Sequence, residues 1–395
     1  MKNRLFLFIL LSFSLSTLLA QNESLSLSGT WQFKEDPGDR GISEMWYNSD
    51  LKDKITLPGS MNTNGKGNPV TVNTPWVGSM WNRTWYESPS YAKYRHPEDT
   101  KVVFWLSPDK YYSGAAWYQK KVVIPADWKH KEILFTMERC HWETTLWVDG
   151  KQIGSENSLS TPHRYVLSFL TPGEHTFTLR VDNRIKDINP GPDAHSVSDN
   201  TQSNWNGVVG EIMLEARPKA YISSVRIVPV VKEKKILAEI QIENADKKVL
   251  KGAVNLRACL RSDASQTLPV ISQNCELGKG KNIIQVSYAM GDNPRLWDEF
   301  APYLYTLHVQ LDTKSGKDEM EEQFGMRELS TKGTQIAING RPVFFRGTLE
   351  CCIFPETGFP PTDEAEWERI MKTCRAHGLN HLRFHSWCRL KPLLM

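Results

Sequence analysis

Short runs of alternating apolar and polar residues, separated by turn residues, dominate the chain from Gln21 to about Arg217. Residues 117–124 form a strand-like run, and residues 175–181 alternate after a Pro-Gly turn. Residues 145–153 form two short runs around Asp149-Gly150, a dipeptide typical of tight hairpins. Many short strands with regular turns predict a β-sandwich or jelly roll over residues 21–217.

A second all-β unit is predicted to begin near Ala220. Strand-like segments recur there at the spacing of a β-sandwich, at residues 225–229, 236–242, 252–258 and 303–311. This spacing predicts an immunoglobulin-like sandwich over residues 218–332. Residues 21–217 and this unit together make the chain mainly β.

The pattern changes at about Gly333, where a strand, a helix and a second strand are predicted in turn. The first strand is expected at residues 342–346 and the second from residue 382. The helix is expected over residues 362–377, with Asp363 as its N-cap in a capping box with Glu366. Its apolar face repeats at helical spacing, at Trp367, Ile370, Met371 and Cys374, and Gly378 follows its end.

The N-terminus predicts export from the cytoplasm. Lys2 and Arg4 precede an apolar run over residues 5–19, and Ala20 is a small residue at the expected cleavage site. We interpret residues 1–20 as a cleaved signal peptide and expect a periplasmic or extracellular protein that begins at Gln21. The run is short for a membrane span, and no stop-transfer segment follows it.

Composition and charge exclude some partners. The formal charge is +3, and two of the positive charges belong to the predicted signal peptide. This balance gives no reason to expect nucleic acid or a membrane surface as a partner. Fourteen tryptophans are many, and about two in three are expected in cores while others could stack on sugar rings.

The cysteines predict neither a disulfide framework nor a metal site. There are seven, an odd number without a repeating pattern. Cys259 and Cys275 are near enough in sequence to pair, although buried free thiols are the preferred interpretation. Adjacent Cys351 and Cys352 lack the spacing of a zinc site. No cofactor is expected.

Five segments in a fixed order resemble glycoside hydrolase family 2, the family of β-galactosidases and β-glucuronidases. They span nearly all of the chain after the signal peptide, at residues 205–212, 296–307, 324–327, 339–347 and 382–385. The resemblance implies a jelly-roll sugar-binding domain over residues 21–217, an immunoglobulin-like domain over 218–332, and the truncated start of a (β/α)₈ barrel over 333–395. We expect residues 333–395 to be marginally stable, because two barrel strands and one helix cannot close a barrel.

The resemblance also implies the chemistry. The family cleaves β-glycosidic bonds with retention, through one glutamate that protonates the leaving oxygen and another that attacks the anomeric carbon, about 5 Å apart. Both glutamates lie on later barrel strands in the family, so neither is expected in this chain. We therefore expect the chain to be catalytically inactive as it stands.

Two charged residues are candidates for substrate binding. The family arginine that matches Arg383 lies beside the nucleophile and helps to keep it ionised; the alternative is a structural arginine that bridges strands. Glu350 follows the first barrel strand, where active sites of barrels assemble. Its alternative, slightly favoured, is a solvated or salt-bridged loop carboxylate.

Four further candidates rest on their positions in the resemblance. His385, before Ser386, departs from the family's usual Ser-His order, so which of the two faces the substrate stays open. Trp387 could form a sugar platform or pack in a core. Asn204 and Asn206 lie where relatives extend a loop toward the active site.

Three functions compete. The first is an exported β-glycosidase that acts on a β-glycoside or polysaccharide, with a homo-oligomer left open. The second is a non-catalytic carbohydrate-binding protein, and the third is a surface protein of stacked sandwiches. The strand-helix-strand pattern after Asn339 disfavours the third, since stacked sandwiches have no use for it.

Overall fold

A computed structural model describes residues 23–71, 73–76, 88–94, 96, 109–186, 195, 197, 199, 202–354, 356–385 and 387–388. The predicted signal peptide and Ser386 lie outside these residues. The structure has two β-sandwiches, a small three-stranded sheet and one strand-helix-strand unit.

The first sandwich contains thirteen strands in chain order. They are β1 (Glu23–Ser26), β2 (Gly29–Asp36), β3 (Asp53–Leu57), β4 (Gly59–Ser60), β5 (Asn68–Pro69), β6 (Lys110–Tyr111), β7 (Ala115–Ile124), β8 (Glu132–His141), β9 (Glu143–Val148), β10 (Lys151–Asn157), β11 (His163–Val166), β12 (Gly173–Asp182) and β13 (Gly207–Arg217). One sheet has the order β1-β13-β8-β11 with β4 beside β13, and the other has the order β10-β9-β12-β7-β2-β3. The short strands β5 and β6 pair separately. Single 3-10 turns lie at Trp46–Asn48, Asn62–Asn64, Pro89–Tyr94 and Ala126–Trp128.

The core of this sandwich lies between its two sheets. Phe135 of β8 meets Phe177 of β12 edge to face at 5.7 Å between ring centroids, and both are fully buried. Most apolar side chains of the strands predicted at residues 117–124 and 175–181 lie in this core, whereas Trp117 packs in a separate cluster with Trp46 and Trp147. The predicted hairpin is confirmed, because Asp149 and Gly150 join β9 to β10 with φ angles of 50° and 74°, typical of a type I′ turn.

Two glycines shape strand β13. A Cβ on Gly207 would lie 2.4 Å from the Gly59 carbonyl oxygen, so only glycine lets β13 approach β4. Gly210, at φ 75°, begins a bulge in the pairing of β13 with β8, and a Cβ there would clash with the Glu138 side chain. Backbone packing therefore requires the two glycines of the Trp-Asn-Gly-Val-Val-Gly segment.

The second sandwich contains strands β14 to β21. They are β14 (Ala220–Val230), β15 (Lys235–Asn244), β16 (Leu250–Leu260), β17 (Asp263–Thr267), β18 (Ile271–Leu277), β19 (Gly280–Ala289), β20 (Tyr305–Thr313) and β21 (Gly316–Phe324), with a 3-10 turn at Val231–Glu233. One sheet has the order β14-β15-β19; the other has β17-β16-β20-β21 with β18 beside β16. Residues Ile240, Leu256 and Leu307 are fully buried between the sheets. The predicted strands of this region are confirmed.

A buried ion pair joins the sandwiches. Arg217, at the end of β13, donates to the carboxylate of Asp318 in β21 at 3.1 Å. The same carboxylate accepts a 2.7 Å hydrogen bond from the Ile222 N–H of β14. This contact fixes the second sandwich to the last strand of the first.

The last part of the chain contains a small sheet and then the strand-helix-strand unit. The small sheet has β22 (Leu329–Lys332), β23 (Gln335–Ile338) and β24 (Arg341–Pro342). The strand-helix-strand unit has β25 (Gly347–Glu350), α1 (Glu364–Ala376) and β26 (His381–Phe384). Strands β25 and β26 are parallel, with Glu350 opposite Phe384. The strand predicted at residues 342–346 is wrong, because the parallel pairing begins only at Gly347.

The predicted helix is confirmed with one correction. The Asp363 side chain accepts from the Glu366 N–H at 2.9 Å, and Gly378 has φ 76° beyond the helix. However, the Glu366 carboxylate binds Arg369 at 2.8 Å instead of completing the capping box. Trp367 is buried, whereas Ile370, Met371 and Cys374 of the same face are only partly covered.

The fold class is confirmed as mainly β, with two successive sandwiches. The domain limits given above stay predictions. Among the described residues, no helix has the length and apolar character that a membrane span requires.

Candidate functional site

The carboxyl ends of β25 and β26 lie at one edge of their sheet. Because the two strands are parallel and Glu350 is opposite Phe384, the residues that follow each strand come together. The His385 N–H donates to the Glu350 carbonyl at 2.8 Å and continues this contact. Functional side chains of parallel sheets gather at such ends.

Glu350 is the carboxylate at this edge. One of its oxygens accepts a 2.9 Å hydrogen bond from the Cys352 N–H. The other is buried and has no hydrogen-bond partner in the structure. Burial raises the pKa of Glu350, although the bonds from Cys352 and Trp387 act in the opposite direction. Glu350 is therefore a partly buried carboxyl group and not the solvated loop carboxylate of the alternative interpretation.

Trp387 packs in a small aromatic cluster beside Glu350. It is 9% exposed, and its ring is stacked on Trp367 at 6.0 Å and meets Phe384 edge to face at 5.1 Å. Its indole N–H points to the Glu350 carbonyl at 3.4 Å. The structure thus places Trp387 in a packed position, with its remaining edge on a small cavity.

The first sandwich contacts this edge through its residues near 195–205. The rings of His195 and His385 lie 4.2 Å apart. The Gln202 amide donates to the Cys351 carbonyl at 2.5 Å and lies 3.1 Å from the His195 ring nitrogen. His385 is therefore positioned against the first sandwich.

Arg383 is not part of this contact. Its side chain is exposed, opposite Leu349 in the pairing of the two strands. It forms no ion pair with the described residues, so the bridging role considered for it is not seen.

Asn204 and Asn206 are buried within the first sandwich. The Asn206 amide donates to the carbonyls of Gly114 and Val181 at 3.0 and 3.1 Å and accepts from the Tyr118 hydroxyl at 2.7 Å. The Asn204 amide donates to the Asn183 carbonyl at 3.2 Å. These bonds fix the chain just before β13. Trp205, the residue between the two asparagines, makes the contact with residues outside the first sandwich.

A cavity of about 40 Å³ lies between the first sandwich and the strand ends. Trp205 stacks on His141 at 4.8 Å and contacts Phe359 at 5.5 Å on the other side. Arg139, at the end of β8, donates to the Leu159 carbonyl at 3.1 Å and to the Cys388 carbonyl at 3.0 Å. The sequence analysis missed these residues; the clue was a charged residue inside the apolar alternation of β8.

The described residues contain no group of three or more His, Cys, Asp or Glu side chains placed to hold a metal ion. All seven cysteines are free thiols in the structure. Cys275 is buried and Cys259 half-buried, so the interpretation as free thiols is confirmed and the possible pairing of these two is not seen.

The second sandwich gives the decisive sequence match. Residues 220–327 match the family model of Glycosyl hydrolases family 2. The resemblance to glycoside hydrolase family 2 is confirmed. A β-glucuronidase of Paenibacillus borealis is 25% identical over 345 residues, which are 82% of this chain and 49% of the relative. A β-galactosidase large subunit of Latilactobacillus sakei is 22% identical over 94% of this chain and 58% of the relative.

Solved structures of two bacterial proteins share the fold. A putative β-galactosidase from Bacteroides fragilis has a TM-score of 0.71 at 16% identity, over 94% of this chain and 51% of that one. A β-glucuronidase from Bacteroides uniformis has a TM-score of 0.68 at 17% identity, over 94% of this chain and 40% of that one. The chain thus spans between 40% and 58% of these four proteins.

Proposed function

We propose that the chain is part of an exported retaining β-glycosidase of the β-glucuronidase or β-galactosidase type. One observation carries the proposal: the carboxyl ends of the parallel strands β25 and β26 meet the first sandwich around a cavity lined by Arg139, Trp205 and Trp387. The relatives named above are glycosidases of these two kinds, and a β-α-β unit at this place is how a (β/α)₈ barrel would begin.

The chemistry of retention limits what these residues could do alone. It needs a carboxylic acid and a carboxylate about 5 to 5.5 Å apart on either side of the scissile bond. Glu350 is the acid that the described ends of β25 and β26 supply, and its raised pKa suits a proton donor better than a nucleophile. One carboxyl cannot fill both roles, so we propose that these 395 residues bind sugar without hydrolysing it.

The proposal is tested with the purified chain and nitrophenyl β-D-glucuronide or β-D-galactoside. We expect no release of nitrophenol above the buffer rate, and no covalent adduct by mass spectrometry with a cyclophellitol-type aziridine that traps retaining nucleophiles. Hydrolysis that Glu350→Gln abolishes would contradict the proposed inactivity. The matched control is Glu364→Gln, an exposed residue of α1.

A non-catalytic carbohydrate-binding protein is the second candidate, because Glu350 stands without a second carboxylate at the described strand ends. The two candidates separate on a longer product of the same gene. Activity that appears when residues beyond 395 are supplied favours the glycosidase, whereas saturable sugar binding without activity in any product favours the binding protein.

Export and assembly complete the proposal. N-terminal sequencing of the protein from periplasm or medium should begin at Gln21. Light scattering coupled to gel filtration tests whether the chain forms a homo-oligomer. A carbohydrate is the proposed partner in either candidate.

A further inference from the structure

Arg139 differs from the other buried arginine of the described residues. Arg180, 4% exposed, has Asp39 at 2.7 Å and Asp182 at 2.9 Å, with Glu143 at 3.7 Å. Arg139, 8% exposed, donates to two backbone carbonyls and has no carboxylate within ion-pair distance among the described residues. In the described part of the chain, one buried guanidinium therefore has carboxylate partners at ion-pair distance, whereas Arg139 has none and receives only the longer-range charge of Glu138.

The Arg139 guanidinium also has donors to spare. A guanidinium carries five N–H donors, and its two carbonyl bonds use only two of them. Its Nε is buried and has no hydrogen-bond partner among the described residues, a feature that it shares with Arg180. The neighbouring acid, Glu138, accepts instead from the Glu211 N–H at 2.9 Å. A buried cation without a partner costs free energy, and burial accordingly lowers the pKa of Arg139.

The Arg139 guanidinium borders the cavity between the first sandwich and the ends of β25 and β26. Two indole rings, those of Trp205 and Trp387, line the same cavity together with the His141 ring. A guanidinium binds a carboxylate through two parallel N–H bonds. At about 40 Å³ the cavity has room for a carboxylate but not for a whole sugar ring.

We infer that Arg139 binds the carboxylate of an acidic sugar whose ring lies outside the cavity, which makes Arg139 a specificity-determining residue for uronides. The inference rests on the proposed carbohydrate site and names its substrate class. The structure supports it by position, since the same guanidinium holds the carbonyl of Cys388, next to Trp387. Binding of the sugar carboxylate would supply the negative charge that Arg139 lacks at ion-pair distance among the described residues.

The test compares methyl β-D-glucuronide with methyl β-D-glucoside by titration calorimetry on the purified full chain. The two sugars differ at C6, where one has a carboxylate and the other a hydroxymethyl group. We expect the glucuronide to bind at least about tenfold more tightly, the worth of a charge-assisted bond. In Arg139→Gln the two sugars should bind equally, while Arg164→Gln, an exposed arginine on β11, should keep the preference.

The possible outcomes are distinct. Equal binding of both sugars to the unaltered chain overturns the role of Arg139 and leaves the proposed function standing. Absence of any saturable sugar binding overturns both. If acetate competes as strongly as the glucuronide, the site holds small anions only and the inference fails. Should Arg139→Gln not fold, the comparison of the two sugars on the unaltered chain still decides.

Discussion

The first sandwich and the strand-helix-strand unit show how differently the same kinds of apolar residue are covered. In the first sandwich, Phe135 and Phe177 are fully buried between two sheets of five and six strands. Just before β25, Phe344 is 74% exposed, and the sheet that β25 forms with β26 has two strands. Parallel sheets are normally covered on both faces. This difference indicates that the apolar residues of this unit are suited to packing against neighbours that the two strands alone do not provide.

The largest expected effect of this difference is on local opening. We expect backbone amides of β26 to exchange with solvent at least on the order of a thousandfold faster than those of β8, because few contacts close over β26. Hydrogen exchange followed by mass spectrometry measures this, and limited proteolysis should cut first within residues 333–395. Equal protection of β26 and β8 would refute the comparison.

Truncation of one phenylalanine in each region sharpens the same comparison. Phe135→Ala should lower the free energy of unfolding by about 3 to 5 kcal/mol, because it opens a cavity in a closed core. Phe344→Ala should change it by no more than about 0.5 kcal/mol, since that ring is already in solvent. Urea denaturation followed by tryptophan fluorescence gives both values. A comparable loss from both variants would mean that residue 344 is covered in solution.

The sequence allowed the local features to be predicted better than the pairing. The hairpin at Asp149-Gly150 and the N-cap Asp363 depend on neighbours a few residues away, so both could be found. The strand predicted over residues 342–346 failed because its apolar run resembles a buried strand, while pairing with β26 begins at Gly347. Where a parallel strand begins is decided by a partner more than thirty residues away.

The candidate site was predicted in part for the same reason. His385 and Trp387 follow the strand predicted from residue 382, Glu350 is the last residue of β25, and the three lie at one edge. Arg139 could not be chosen from the sequence, because the role that we infer for it depends on the absence of a carboxylate partner among the described residues. That absence depends on how the first sandwich folds against the strand ends.

Acid should act on the two regions in opposite directions. Burial alone would raise the pKa of Asp182, but hydrogen bonds from Arg184 and Lys186 and the charge on Arg180 hold it well below its usual 3.8. Its stabilising contribution is therefore present above that value and lost as pH falls below it, by about 2 to 3 kcal/mol for one such group. Burial raises the pKa of Glu350, so its protonation as pH falls from neutrality favours the folded strand-helix-strand unit.

Two measurements at several pH values separate these effects. Thermal unfolding of the first sandwich should become easier below about pH 4, and Asp182→Asn should remove much of that dependence. Hydrogen exchange in β25 should slow as pH falls from neutrality, after correction for the intrinsic rate, and Glu350→Gln should abolish the change. Identical pH profiles for both variants would contradict the assignment.

The smallest expected effect is on the helix end. Asp363→Ala removes the acceptor for the Glu366 N–H and should destabilise α1 by about 1 kcal/mol. Because α1 is weakly covered, this loss should appear as faster exchange within the helix and leave the unfolding of both sandwiches unchanged. Asp363→Asn, which keeps an oxygen acceptor, is the matched control and should restore most of the protection.

The glycine at position 207 has a consequence for recognising such genes. It is required because β13 approaches β4 so closely that no side chain fits between them. The Trp-Asn-Gly segment that helps to make the family visible therefore reports on architecture, and selection for a folded sandwich would retain it in a lineage that had lost every catalytic group. A search based on this segment would find genes of common ancestry. Which of them encode active hydrolases would have to be established from their catalytic carboxylates.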